Sequence, residues 1–180
     1  LRHEQRIDEP LLPMAVFAPR RVRVGALTLL LSAVGFNGVL FVASLFLQFG
    51  WGESPLATGL LILPIGVTEF AVSTRCVTVA RWIGTSRTIA LGLLSMAVGY
   101  AGMAFISTGD RVGFVVAGLV AGVGNGLVIP LSVERVVGGG NGALAGVRAG
   151  VNETAIELGA SLGVALLGGV QRLVFAHQLP

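Results

Sequence analysis

The chain has 180 residues, of which 54% are hydrophobic and only 12% charged, and its mean hydropathy is +0.87. Those values exclude an ordinary soluble domain of this length, because several apolar runs reach the ~18 residues that signal a membrane span. The net charge is +3 and all twelve basic residues are Arg. They sit between apolar runs and form no solvated basic face, which argues against a nucleic-acid partner.

Residues 1–23 are charged and carry Pro10, Pro13 and Pro19, as expected of a cytoplasmic linker or interfacial lead-in. The chain opens on Leu1 and no signal peptide precedes the first apolar run, so a piece of a longer protein is expected. Residues 24–180 read as five spans, about 24–49, 56–79, 88–107, 112–133 and 141–170. Each is long enough to cross ~30 Å of hydrocarbon at ~1.5 Å per residue. The fold class expected is all-α and integral to the membrane.

The first two spans meet at Gly50-Trp51-Gly52-Glu53-Ser54-Pro55. Ser54 suits an N-cap, and Pro55 suits the first helical position, where no N–H is needed. Trp51 suits a membrane–water interface, with its ring buried and its N–H wet. Basic residues alternate between loops. Ten Arg fall before the first span, between the second and third, and between the fourth and fifth; Arg111 and Arg172 fall on the other side. That asymmetry predicts a cytoplasmic N-terminus.

Small residues recur at every fourth position. Gly118, Gly122 and Gly126 mark the fourth span. Gly142, Gly146 and Gly150, then Ala155, Gly159 and Gly163, mark the fifth. Residues four apart share a helix face, so each series is a smooth strip that a neighbouring backbone can approach. Gly122-x-Gly124-x-Gly126 follows no strand and lies inside an apolar run, so it reads as packing and not as a dinucleotide motif.

No enzyme constellation is visible, and no cofactor or metal is implied. His3 and His177 lie outside the spans, and Cys76 is the lone cysteine with no neighbouring His. What stands out is acid within apolar helices. Glu69 lies ~20 Å along the second span. A carboxylate there is costly; burial favours its neutral form, which suits a proton carrier. The alternative is a wall residue of a watery cavity, or a partner of Arg75. Glu153 and Glu157 are four apart, share a face and repel one another. If both are desolvated, one keeps its proton. Glu153 reads as an interfacial polar residue, whereas Glu157, one turn deeper, reads as buried. Asn37, Asn125 and Asn152 either face a cavity or bond between helices.

The ordered motifs LQFGWGESPLATGLLILP, RWIGTSR, GLVAGVGNGLVIP and ELGASLGVALLGGV resemble the 14-helix drug:proton antiporters of the EmrB/QacA type, within the major facilitator superfamily. The resemblance implies five helices of an incomplete C-terminal six-helix bundle. Its partners would be the N-terminal half and last helix of the same transporter, the lipid bilayer, protons and a small-molecule substrate. It implies proton-coupled efflux by alternating access, and places the third span toward lipid. The second cytoplasmic loop departs from the family pattern in lacking an acidic residue. A non-transport module built from the same helices, an assembly or regulatory subunit, is the alternative reading.

Overall fold

The computed structural model describes residues 17–138 and 144–176, with side chains as far as Gln171. Six α-helices account for most of it. They are α1 (Arg20–Leu45, extended by a π-helical turn, Phe46–Gly50), α2 (Pro55–Ser73), α3 (Cys76–Ile83), α4 (Thr85–Ala104), α5 (Arg111–Val137) and α6 (Ala145–Ala176). All but α3 are long and apolar enough to cross a membrane.

Two boundaries differ from the sequence expectation for physical reasons. The first helix starts at Arg20, inside the stretch expected as lead-in. Pro19 stands at its N-cap in extended conformation, and nothing in Arg20–Arg23 opposes a helix. The second helix ends at Ser73, six residues before Val79. Ser73 and Thr74 fold their hydroxyls back onto the carbonyls of Phe70 and Ala71, each at 2.8 Å. Such bonds compete with helix continuation. The residues beyond form the separate helix α3, and Gly84 at φ 90° turns the chain into α4. That backbone angle is the left-handed region that glycine alone enters without strain. Residues 141–143, expected to open the fifth span, lie outside the described residues, as do residues 1–16 of the expected lead-in.

Helix α5 is the hub, packing against α1, α2 and α4, while α6 packs mainly on α1. Glycine decides these contacts. Gly122 and Gly126 lie against the carbonyls of Ile65 and Glu69 in α2, and Gly124 lies against Gly92 and Met96 in α4. Gly25 of α1 meets Ser132 and Val136 of α5. Gly159 and Gly163 of α6 meet Leu30, Val34 and Gly38 of α1. Backbones can approach this closely only where no side chain intervenes. The pairings make α1, α4 and α6 run one way, and α2 and α5 the other.

Of the second glycine series, Gly142 lies outside the described residues, and Gly146 and Gly150 face open space. That strip, expected to receive a neighbouring backbone, is not filled among the described residues. The spacing marks a smooth face, and α1 crosses α6 beyond it.

One end of the bundle carries Arg20, Arg21, Arg23, Arg75, Arg81, Arg87, Arg135 and Arg148. A cluster of Val22, Leu29, Val136, Val151 and Ala155 closes the core there. At the opposite end Ala43, Leu47 and Phe114 form a second cluster, capped by Trp51.

Candidate functional site

The turn between α1 and α2 is built as its residues require. Ser54 Oγ accepts a hydrogen bond from the Ala57 N–H at 3.2 Å, and Pro55 takes the first helical position. Gly52, at φ 71°, supplies the sharp bend. Trp51 lies edge-on to both Phe46 and Phe114, with ring centroids 5.7 and 6.2 Å away. Its indole N–H is buried and unbonded, where an interfacial tryptophan was expected to keep it wet. The two aromatic neighbours draw the indole N–H into the bundle while the residue as a whole is half-buried. Glu53, only 10% exposed in its side chain, pairs with Arg111 at 2.6 Å and so ties this turn to the start of α5. Asp110 caps α5, accepting from the Gly113 N–H at 2.9 Å.

One turn before the end of α2, on the arginine-rich side of the bundle, Glu69 is half-buried. It borders a cleft of about 320 Å³ between α2 and α5, lined by Gly66, Phe70, Ser73, Gly126 and Pro130 among others. The cleft exists because Gly126 lets the α2 backbone in close, while Pro130 leaves a gap one turn on. Among the described residues Glu69 forms no ion pair with Arg75. Helices α2 and α5 both continue through Pro64 and Pro130.

Asn125, about 100° round α5 from Gly126, is fully buried, and no hydrogen bond within 3.5 Å engages its carboxamide. Tyr100 of α4 faces it, with its buried hydroxyl close enough to interact with the Asn125 carboxamide though beyond 3.5 Å, and lies within electrostatic reach of Glu69. The Tyr100 ring packs over Gly35 of α1. Ser32 of α1 lies two turns beyond the Gly25–Ser132 contact, which brings it to the depth of Asn125. Its hydroxyl too is buried without a partner. Four helices therefore contribute polar groups to one layer: Ser32, Glu69, Tyr100 and Asn125. Unbonded buried polar atoms of this kind are costly unless water or a ligand reaches them. Sequence reasoning passed over Tyr100. Its signal is that it is the chain's single tyrosine, set in a span of small and aliphatic residues.

The other candidates fall elsewhere. Asn37 spends its amide on its own helix, donating to the Ala33 carbonyl at 3.1 Å. Asn152 is half-buried, with its carboxamide oxygen unbonded. Arg148, one turn earlier, is buried with two of its guanidinium nitrogens unbonded. Glu153 and Glu157 are both exposed. Glu157, expected to be buried, is not, because α6 packs on α1 through Val151, Ala155, Gly159 and Gly163. Both carboxylates sit two residues off that line and point away from it. Glu157 matches Glu69 in depth, yet the two lie on helices separated by α1 and α5. Among the described residues no group of His, Cys, Asp and Glu could hold a metal ion.

No protein-family model matches the chain. It is 30% identical over 167 residues to the tetracenomycin C resistance and export protein of Streptomyces glaucescens, covering 92% of this chain and 31% of that protein. It is 30% identical over 171 residues to the multidrug efflux pump LfrA of Mycolicibacterium smegmatis, covering 94% and 34% respectively. The puromycin resistance protein pur8 of Streptomyces alboniger matches at 29% over 175 residues, covering 93% and 34%. The chain thus spans about a third of the length of the curated relatives it matches. It is a multi-pass membrane protein homologous to bacterial drug- and antibiotic-resistance exporters, in keeping with its resemblance to the EmrB/QacA-type branch of the major facilitator superfamily.

Proposed function

We propose that this chain is part of a secondary active transporter that exports drugs or other amphipathic small molecules in exchange for protons. The observation that carries the reading is its ~30% identity, over nine-tenths of the chain, to proteins named for resistance and efflux. The remaining helices of such a transporter would complete the cavity, and the two halves would rock about a site near mid-membrane. The arginine-rich end is the cytoplasmic one in this reading, since basic residues stay on that side.

Glu69 is the proposed proton carrier, with Glu157 the second choice. Two features support Glu69: its depth in an apolar helix, where an ionisable group is costly, and the cleft it borders beside the polar layer of Asn125 and Tyr100. A carboxylate that exchanges its proton for a cationic compound gives obligate antiport, because each ligand favours the form that the other disfavours. Asn125 and Tyr100 would contact substrate or the water that accompanies it. Asn37, Asn152 and Glu153 rank below them, and Asn37 is already bonded within α1.

The test is Glu69→Gln in the full-length gene product, assayed for proton-driven efflux in everted vesicles. Efflux should be lost with expression unchanged, and Glu69→Asp should retain part of it with a shifted pH profile. Normal efflux by Glu69→Gln, with an unchanged pH profile across several substrates, would make Glu69 a wall residue and move the test to Glu157.

A further inference from the structure

The short helix α3 crosses no membrane, and neither the transport reading nor the polar layer uses it. Its buried line is narrow: only Cys76 and Ala80 pack into the bundle, against Ile89, Leu127 and Leu131. Its apolar arc is wider than that. Val79, Trp82 and Ile83 lie three and four residues apart on one flank, and all three are exposed, Trp82 at 86%. A tryptophan left that bare beside a valine and an isoleucine is unfavourable in water and favourable at the boundary of a bilayer.

The neighbouring charges are of one sign. Arg75 precedes α3, Arg81 lies in its last turn and Arg87 opens α4; all three are exposed. Between Glu69 and Asp110 the sequence contains no acidic residue. Two charges of α5 also lie at this end. Arg135 donates to the Ser86 hydroxyl at 2.8 Å. Glu134, at the end of α5, approaches the buried side of α3: burial first, and the Glu134 charge after it, push the Cys76 thiol up.

The membrane level is fixed by α4. Leu91, Leu94 and Val98 are exposed along one face and lead to Phe105, exposed just past the helix end. Arg87 lies on the same face, one turn before Leu91. From Arg87 to Phe105 this stripe rises about 27 Å, close to the thickness of the hydrocarbon core. Arg87 therefore stands where headgroup phosphates begin. Arg75 and Arg81 stand at the two ends of α3, and their long stems would let the guanidinium groups reach phosphate while the helix lies lower.

We propose that α3 lies in the membrane interface, with Val79, Trp82 and Ile83 among the acyl chains, and that Arg75, Arg81 and Arg87 form a binding site for the phosphate of anionic lipid headgroups. The occupant is argued from charge complementarity and from the lipid-facing stripe that ends at Arg87. The site does not depend on what the protein transports.

The test uses the full-length gene product in nanodiscs, with Trp82 as its only tryptophan. Trp82 emission is measured with brominated phosphatidylglycerol or brominated phosphatidylcholine, at the same mole fraction in otherwise identical bilayers. Both lipids should quench, the anionic one more strongly by up to about fivefold for each arginine engaged. The preference should shrink in about 0.5 M NaCl. It should vanish in Arg75→Gln/Arg81→Gln/Arg87→Gln while quenching by phosphatidylcholine persists. If that variant fails to fold, the lipid preference of the unaltered protein and its salt dependence still decide. Equal quenching by the two lipids overturns the headgroup site, as does a preference that survives the triple substitution. No quenching by either overturns the interfacial placement. Access of iodide to Trp82 would then mean that α3 faces water, and protection from iodide that another part of the transporter covers it.

Discussion

The contact between α2 and α5 gives the sharpest test of how this bundle is held together. A Cβ placed on Gly122 would stand 2.6 Å from the Ile65 carbonyl oxygen and 3.2 Å from Thr68 Cβ. Ordinary contact begins near 3.4 Å, so Gly122→Ala forces the two backbones apart by roughly 0.8 Å along this line. The obstructing atom belongs to the backbone and no rotamer relieves it. Two effects then compete. Alanine favours the helix over glycine by about 1 kcal/mol, whereas overpacking costs about 1–3 kcal/mol, and more where the helices cannot part. Overpacking wins here, because the same separation also loosens the contact of Gly126 with the Glu69 carbonyl. Gly59, on α2, provides the contrast. Nothing lies within 4 Å of its missing Cβ, so Gly59→Ala keeps only the propensity gain.

Both variants are to be purified in detergent and melted beside the parent, following helix loss by circular dichroism. Gly122→Ala should lower the midpoint by several degrees, and Gly59→Ala should leave it level or raise it slightly. Equal shifts for the two would refute the reasoning, since they would mean that Gly122 contacts nothing harder than Gly59 does.

Two further outcomes follow from the ends of the bundle. Arg111→Ala leaves the shielded Glu53 carboxylate unpaired and should destabilise by about 1 kcal/mol; Glu53→Gln added to it should recover part of the loss, and strictly additive effects in that cycle would mean the pair is idle. With Cys76 replaced by Ala, Thr108→Cys in the exposed turn between α4 and α5 should react with an impermeant thiol reagent on intact cells. Reaction only after the membrane is broken would reverse the orientation proposed from the arginines.

How much of this was legible in the sequence depends on what kind of statement is made. The helix start at Ser54-Pro55 was legible because capping is local chemistry: a hydroxyl meets an N–H three residues on, whatever surrounds it. The break after Ser73 was not, because residues 67–83 contain neither Gly nor Pro and their hydropathy dips only briefly. Ser73-Thr74-Arg75 carried the signal, through hydroxyls able to turn back on their own helix. Small-residue spacing revealed the strip on α5 but could not name α2 as its partner. It also marked Gly146 and Gly150, which meet nothing among the described residues.

The acids make the same distinction at the candidate site. Depth accumulates at a fixed rise per residue, so the sequence alone sets Glu69 far along its span and Glu157 one turn deeper than Glu153. Direction does not accumulate in that way: it depends on which face a neighbouring helix takes. On α6, α1 takes the line of Val151, Ala155 and Gly159, and this turns Glu157 outward. On α2, Gly122 and Gly126 of α5 draw in the backbone at Ile65 and Glu69, and this leaves Glu69 half-buried at the edge of a cleft. Two glutamates with similar sequence surroundings thus reach the same level of the membrane in different settings. Among the described residues, Glu69 has polar neighbours on other helices, Asn125 and Tyr100, that could share a proton, a water or a substrate with it. That difference arises from which face each helix packs: glycines of α5 receive the α2 backbone at Glu69, whereas Ala155 and Gly159 beside Glu157 take α1 on the other face of α6.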